Sequence, residues 1–111
     1  RRLLILVECW NTIGDLGAAA RATSRKVAEA EELAVAAGGE RPFIVRAVWV
    51  VRATAGNRAL VARYPEVFAA RFPGPSARWA NALTAGTEPP AEPGLVWCDV
   101  AATRLFAWRR R

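Results

Sequence analysis

Residues 43–51 read FIVRAVWVV, the most apolar stretch of the chain. Isoleucine and valine are frequent in it, and β-branched side chains favour strands. A run of this length without regular polar alternation is typical of a strand that is buried on both faces of a sheet. The stretch therefore predicts a buried strand.

A helical pattern precedes this strand. Asp15 is a candidate N-cap, apolar residues recur from Leu16 to Ala37, and Gly38-Gly39 provides a C-terminal stop. Further upstream, residues 3–9 form a second apolar run, which predicts another strand buried on both faces. Strand, helix and strand together predict a βαβ unit with parallel strands.

Shorter elements are expected after the βαβ unit. Thr54 is a candidate cap for a helical segment that Pro65 divides into two pieces, and Pro75-Ser76 opens a further helix. Residues 84–93 are rich in Pro, Gly and Glu and predict an exposed loop. Residues 95–99 and 103–108 predict an antiparallel β-hairpin at an edge of the sheet.

These elements predict an α/β fold of two or three layers, with a βαβ core, a parallel or mixed sheet, short helices and a C-terminal hairpin. A length of 111 residues and 53% hydrophobic residues fit one domain. Because residue 1 is an arginine directly before an apolar run, we expect residues 1–111 to be a single incomplete domain whose N-terminal part is missing.

Composition limits the possible chemistry. The chain has no histidine, which excludes a serine triad and most zinc sites made by this chain alone. The first apolar run is too short for a membrane span and lacks a signal-cleavage motif, so a cytoplasmic protein with no membrane partner is expected. Cys9 and Cys98 form no CxxC motif and predict two reduced, packed thiols.

The chain is strongly basic, with a formal net charge of +6. Such a charge suits a polyanionic partner such as DNA. However, fifteen of the sixteen basic residues are arginine, a bias that a GC-rich coding sequence also produces. Charge alone therefore leaves DNA binding by this chain open.

Glu8 is the main candidate site residue, because it stands where an apolar strand ends and a loop leads to a helix. Ligands gather at that end of the strands in open α/β sheets. Glu8 is a candidate Mg²⁺ ligand, although one carboxylate is a poor site for a cation that prefers octahedral coordination. A structural role is the alternative, in which Glu8 anchors the turn before the helix and Lys26 pairs with a glutamate of its own helix.

Three stretches carry a resemblance to a known family: ILVECWNTIGDLGAAARATSRKVAEAEELA, VWVVRATAGNRALVARYPEVFAARFPG and PGLVWCDVAATRLFAWRRR. They resemble the C-terminal region of actinobacterial helix-turn-helix regulators of the XRE type. That region in turn is similar to the restriction-endonuclease, or PD-(D/E)XK, fold. The resemblance spans nearly the whole chain.

This resemblance implies site roles. Glu8 matches the acidic metal-binding position, Cys9 is the spacer, and Trp10 stands where the catalytic lysine of the nucleases is expected. An indole carries no charge and cannot replace an ammonium group. The second metal-binding aspartate would lie upstream of Arg1, and Lys26 is a candidate for a migrated lysine. The resemblance thus implies a degenerate nuclease motif.

Three functions follow as expectations. The first is a non-catalytic domain of a DNA-binding transcriptional regulator that contributes regulation, homodimerisation or auxiliary DNA contacts and needs no cofactor. The second is a Mg²⁺-dependent endonuclease with Glu8 and Lys26 as catalytic residues, and the third is a protein-interaction module. The candidate phosphate-binding residues are all arginines, either on the short helices or at the C-terminus: Arg58, Arg63, Arg71, Arg78, Arg109, Arg110 and Arg111.

The five tryptophans allow two interpretations. Exposed indoles stack on the bases of single-stranded nucleic acid. Because these residues are spread over predicted strands and a helix, filling of the core or of an interface is the favoured interpretation.

Overall fold

The structure, a computed structural model, describes residues 2–109. It contains four strands and four helices in that part of the chain. In chain order they are β1 (Leu3–Trp10), α1 (Leu16–Gly38), β2 (Ile44–Arg52), α2 (Ala55–Arg63), α3 (Pro65–Arg71), α4 (Ser76–Ala85), β3 (Gly94–Cys98) and β4 (Leu105–Ala107).

The strands form one mixed sheet in the order β1-β2-β3-β4. β1 and β2 are parallel, β2 and β3 are parallel, and β3 and β4 are antiparallel. The predicted α/β class, the βαβ unit and the C-terminal hairpin are therefore confirmed.

Helices cover both faces of the sheet. Successive side chains of a strand point to opposite faces, so Trp49 and Val51 lie on one face, here called the Trp49 face, and Val48 lies on the other, the Val48 face. Residues of α1, α2 and α3 pack on the Trp49 face, around Trp49, Val51 and Leu95 of the sheet. Trp79 of α4 packs on Val48 and Val96 of the Val48 face. The fold thus has three layers.

Local chemistry places the helix boundaries close to their predicted positions. The Asp15 carboxylate accepts a hydrogen bond from the Ala18 amide at 3.0 Å, and the Thr54 hydroxyl accepts one from the Asn57 amide at 3.2 Å. Pro65 begins α3, where its missing N–H costs nothing, and so separates α3 from α2. α1 is 23 residues long and ends at Gly38, within the predicted Gly38-Gly39 stop.

The prediction that β1 is buried on both faces is wrong. β1 is an edge strand, it continues to Trp10, and only Glu8 in it is buried, whereas Val7 is 42% exposed and Cys9 is exposed. On the Val48 face, Ile5 of this strand is partly buried against the cluster of Val48, Trp79 and Val96. An apolar run indicates that a strand packs against a hydrophobic core. It does not indicate whether that strand lies in the middle or at the edge of the sheet. The same exposure contradicts the prediction that Cys9 is packed.

The loop after α4 is more buried than predicted. Pro89 and Pro90 are buried, and the guanidinium of the buried Arg46 donates a hydrogen bond of 2.7 Å to the Pro89 carbonyl. The Trp79 indole N–H donates to the Glu92 carbonyl at 2.9 Å. Gly94 lies so close that a Cβ atom there would overlap the Trp79 ring. The loop is therefore held against the sheet by long-range contacts that its composition does not reveal.

Candidate functional site

Glu8 lies on the Trp49 face of β1, beneath the middle of α1. Its Cα pairs with that of Trp49 across the parallel β1–β2 ladder, and the residue is only 8% exposed. α1 packs on this face, which brings two of its side chains, Thr23 and Lys26, to the carboxylate. Lys26 reaches Glu8 because the helix packs closely on the sheet.

Both carboxylate oxygens of Glu8 have partners on α1. The Lys26 ammonium lies 3.1 Å from Oε2, and the Thr23 hydroxyl donates a long hydrogen bond of 3.4 Å to Oε1. The Thr23 oxygen in turn accepts a bond of 2.9 Å from the indole N–H of Trp49. A short chain of hydrogen bonds therefore runs from β2 through α1 to β1.

The electrostatic role of Lys26 follows from the burial of its partner. An ionised carboxylate out of water is costly unless a cation and hydrogen-bond donors compensate it. The side chain of Glu8 is 10% exposed, whereas that of Lys26 is 49% exposed, so the ammonium keeps contact with water. The pair therefore ties α1 to β1. Two expectations from the sequence differ from this arrangement. Lys26 pairs with a strand residue and not with a glutamate of its own helix, and Glu8 contacts the middle of α1 and not the turn before it.

Trp10, at the position that the resemblance assigns to the nuclease lysine, packs against the core. Its ring centroid lies 5.1 Å from that of Trp49 in a tilted arrangement. Its indole nitrogen is buried and has no hydrogen-bond partner among the described residues. Trp10 thus extends the apolar packing on the Trp49 face and supplies no charge beside Glu8.

Glu8 and its neighbours do not form a Mg²⁺ site by themselves. Within residues 2–109 there is no group of three or more His, Cys, Asp or Glu side chains that could hold a metal ion. Asp15 caps α1, and the Asn11 side-chain oxygen accepts a bond of 3.4 Å from Arg52. Glu8 therefore stands as a single carboxylate already paired with an ammonium, and magnesium requires more oxygen ligands.

The turn between β1 and α1 is fixed by a residue that the sequence prediction missed, Asn57 of α2. Asn57 is 2% exposed. Its side-chain oxygen accepts from the Ile13 amide at 3.1 Å, and its side-chain nitrogen donates to the carbonyls of Asn11 and Arg52 at 2.8 and 2.9 Å. Its partners in the turn are distant in sequence, so no local pattern points to Asn57.

The candidate phosphate-binding arginines are spread over the molecule. Arg58 and Arg109 line one groove of about 490 Å³, together with Trp97 and Trp108. Arg63 lies over the Tyr64 ring, 5.5 Å from its centroid. Arg71 lines a different cavity, and Arg78 belongs to α4 on the opposite face of the sheet. Arg110 and Arg111 lie outside the described residues.

The tryptophans fill the core, as the favoured interpretation predicts. Trp49 and Trp79 are 1% exposed or less, and Trp97 and Trp108 are also buried. A stacking platform for bases requires an open ring face. These four indoles therefore do not provide one.

The chain was compared with family models, curated proteins and solved structures, and none of the three comparisons gave a match. None of the helices among residues 2–109 is both long and apolar enough to cross a membrane. Candidate functions therefore depend on the geometry of the described residues and on the resemblance noted from the sequence.

Proposed function

We propose that the chain is a non-catalytic, nuclease-like domain of a cytoplasmic DNA-binding transcriptional regulator. The observation that supports this most is the state of Glu8, which is buried and paired with Lys26 and Thr23 on α1. A metal-binding carboxylate must keep oxygen lone pairs free for the cation. Here the carboxylate instead joins a helix to a strand, which is a structural task.

Auxiliary contacts with DNA phosphates form part of this proposal. Arg58 and Arg109 line the same groove, and the chain carries a formal net charge of +6. Arginine binds phosphate through two parallel N–H donors. Such contacts position a protein on DNA without reading its sequence, so reading of a specific site would belong to a separate helix-turn-helix segment.

The proposed absence of nuclease activity is tested with plasmid DNA. The chain and its Glu8→Gln variant are incubated with supercoiled plasmid and either Mg²⁺ or Mn²⁺, and nicked and linear products are measured on gels. We expect no cleavage by either protein. Cleavage by the wild type that disappears in Glu8→Gln would contradict the proposal.

A metal-dependent endonuclease is the second candidate, and one observation favours it. Lys26 is the only lysine of the chain, and its ammonium reaches Glu8 at 3.1 Å from a neighbouring helix. A migrated lysine needs this proximity in order to act on a water near the metal. In the same assay, Lys26→Met should abolish cleavage if this candidate is right.

Phosphate contact is tested by the salt dependence of DNA binding. Wild type is compared with Arg58→Gln/Arg109→Gln and with a control, Arg25→Gln/Arg41→Gln, which removes the same charge from other exposed positions. We expect the groove variant to lower the slope of log K against log salt by about one for each lost contact, and the control to lower it less. No binding at low salt would favour the protein-interaction module instead.

A further inference from the structure

A cavity of about 270 Å³ opens on the Trp49 face, between α1 and the end of α3. Val27 of α1 and the rings of Trp49 and Phe72 contribute to its apolar lining. Trp49 is 1% and Phe72 is 5% exposed, and their ring centroids are 4.8 Å apart. Because the rings are fixed by the core around them, this part of the cavity is preformed and does not require the fold to move.

Two opposite charges belong to the lining of this cavity. α1 contributes Glu31, and α3 contributes Arg71. Both residues are exposed, and neither side chain has an ion-pair or hydrogen-bond partner within residues 2–109. The hydroxyl of Thr23, which also lines the cavity, is already engaged with Trp49 and Glu8. The unused polar groups are therefore one cation, one anion and the Ser24 hydroxyl, above apolar walls.

We propose that this cavity binds a small zwitterion with an apolar side chain, that is, a free amino acid of the phenylalanine or leucine class. The ligand carboxylate pairs with the Arg71 guanidinium, whose planar donors match a carboxylate. The ligand ammonium pairs with Glu31, and the side chain packs on Val27, Ala28 and the small exposed parts of Trp49 and Phe72. A purely anionic ligand would face Glu31, and a purely cationic ligand would face Arg71. A ligand with both charges avoids each repulsion.

The size of the cavity agrees with this ligand class. Ligand pockets in proteins usually measure about 300–1,000 Å³, and this one lies just below that range. A single amino acid is among the smallest organic ligands, so a cavity just below this range suits it better than it suits a larger molecule.

The test is a set of calorimetric titrations of the chain with three related probes. L-phenylalanine carries both charges, 3-phenylpropionate lacks the ammonium, and phenethylamine lacks the carboxylate. We expect L-phenylalanine to bind about tenfold more tightly than either truncated probe, as expected for the loss of one charge-assisted hydrogen bond. No binding of L-phenylalanine up to its solubility, or equal binding of all three probes, would overturn the proposal.

Two variants locate the site. Arg71→Gln should lower the affinity for L-phenylalanine about tenfold and should raise that for phenethylamine, because it removes the repulsion between two cations, whereas Arg78→Gln, on the opposite face of the sheet, should change neither. Ala28→Trp places a large ring in the cavity from an exposed helix position and should abolish binding of L-phenylalanine. Circular dichroism and thermal unfolding establish that each variant folds. Unchanged affinity in folded Ala28→Trp would contradict this location.

Binding at this cavity does not depend on the proposed function, because the titrations contain neither DNA nor a divalent cation. A negative titration with no plasmid cleavage would remove the ligand and leave the non-catalytic proposal standing. A positive titration together with plasmid cleavage would support the ligand and contradict the non-catalytic proposal.

Discussion

At the scale of single residues, Glu8 depends on Lys26 for charge compensation. Lys26→Met keeps most of the aliphatic stem but leaves a buried carboxylate with only the long bond from Thr23. We expect a loss of about 1–3 kcal/mol in the free energy of unfolding, toward the low end because Lys26 is half exposed to solvent. Urea denaturation at neutral pH measures this loss.

The double variant Glu8→Gln/Lys26→Met provides the control for this interaction. Since no charge is then left unpaired, it should be more stable than the sum of the two single losses predicts, by at least about 0.5 kcal/mol. Arg25→Met, at an exposed position of the same helix, should change stability by no more than about 0.5 kcal/mol. Strict additivity of the two single variants would mean that the ion pair contributes nothing.

Residue roles were predictable from sequence where the partner is close in the chain. Asp15 and Thr54 act as helix caps on amides three residues away, and both were predicted. The contact between Glu8 and Lys26 spans 18 residues and depends on how α1 packs. Asn57 was missed because its partners Ile13 and Asn11 are 44 and 46 residues away. Such contacts are set by topology, which a local pattern does not contain.

Asn57→Ala should be among the more damaging substitutions in this chain. It removes three hydrogen bonds and leaves the buried amide of Ile13 without its partner. We expect a loss of about 2–4 kcal/mol in the free energy of unfolding. Each unsatisfied buried group costs about 1–3 kcal/mol, and some of these backbone groups can shift to reach water. Chemical denaturation measures the loss. The matched variant Asn81→Ala, at an exposed position of α4, should stay within about 0.5 kcal/mol of wild type.

At the scale of elements, type was easier to predict than environment. β-branched content identified β2, periodicity identified α1, and Pro65 identified the break between α2 and α3. The prediction that β1 is buried on both faces was wrong because the apolar runs of β1 and β2 look alike, whereas β1 lies at the edge of the sheet and β2 does not. The loop after α4 was predicted to be exposed from its composition alone. Its composition does not reveal the hydrogen bond between Arg46 and Pro89, because Arg46 lies on a strand 43 residues earlier in the chain.

The turn between β3 and β4 is organised by the Asp99 carboxylate, which gives this hairpin a pH dependence. It accepts bonds of 2.6 and 2.7 Å from the hydroxyl and amide of Thr103, and one of 2.9 Å from the Arg104 amide. The Thr103 hydroxyl bond is the largest cause that holds the pKa of Asp99 below its ordinary value of 3.8, and the Arg104 amide is the next.

A lowered pKa means that the folded state favours the ionised carboxylate. The Asp99 contribution to stability is therefore fully present above pH 3.8 and is lost as the pH falls through the lower pKa of the folded state. We expect the stability difference between wild type and Asp99→Asn to be constant near neutral pH and to shrink in this acidic window. Denaturation at a series of pH values checks this, and an Asp99 NMR titration at or above 3.8 would contradict it.

At the scale of the whole molecule, the two edges of the sheet are unequal. β4 is three residues long, whereas β1 is an apolar strand of eight residues. The Ile44 amide donates to the Arg2 carbonyl at 2.8 Å, so even-numbered residues of β1 direct their backbone groups toward β2. The N–H and C=O groups of the odd-numbered residues, Leu3 to Cys9, therefore point away from the sheet. Long apolar edges of this kind favour pairing with another strand.

We expect the chain to self-associate through β1 as its concentration rises. In an antiparallel pair of two copies centred on Leu6, Leu3 faces Cys9 and Ile5 faces Val7, so that all outward backbone groups of both strands are paired. Val7→Lys places a charge on this edge at a position that is 42% exposed and should prevent association, with a change in stability within about 0.5 kcal/mol. Light scattering over a range of concentrations measures the average mass.

Val100→Lys is the matched control, because it adds the same charge at a site that is 53% exposed in the turn after β3, away from the β1 edge. If β1 is the interface, this variant associates like the wild type while Val7→Lys remains monomeric. If both variants reduce association equally, the added charge acts through general repulsion, and the edge of the sheet has no special part in it. Edge pairing thus accounts for self-association only if the two variants differ.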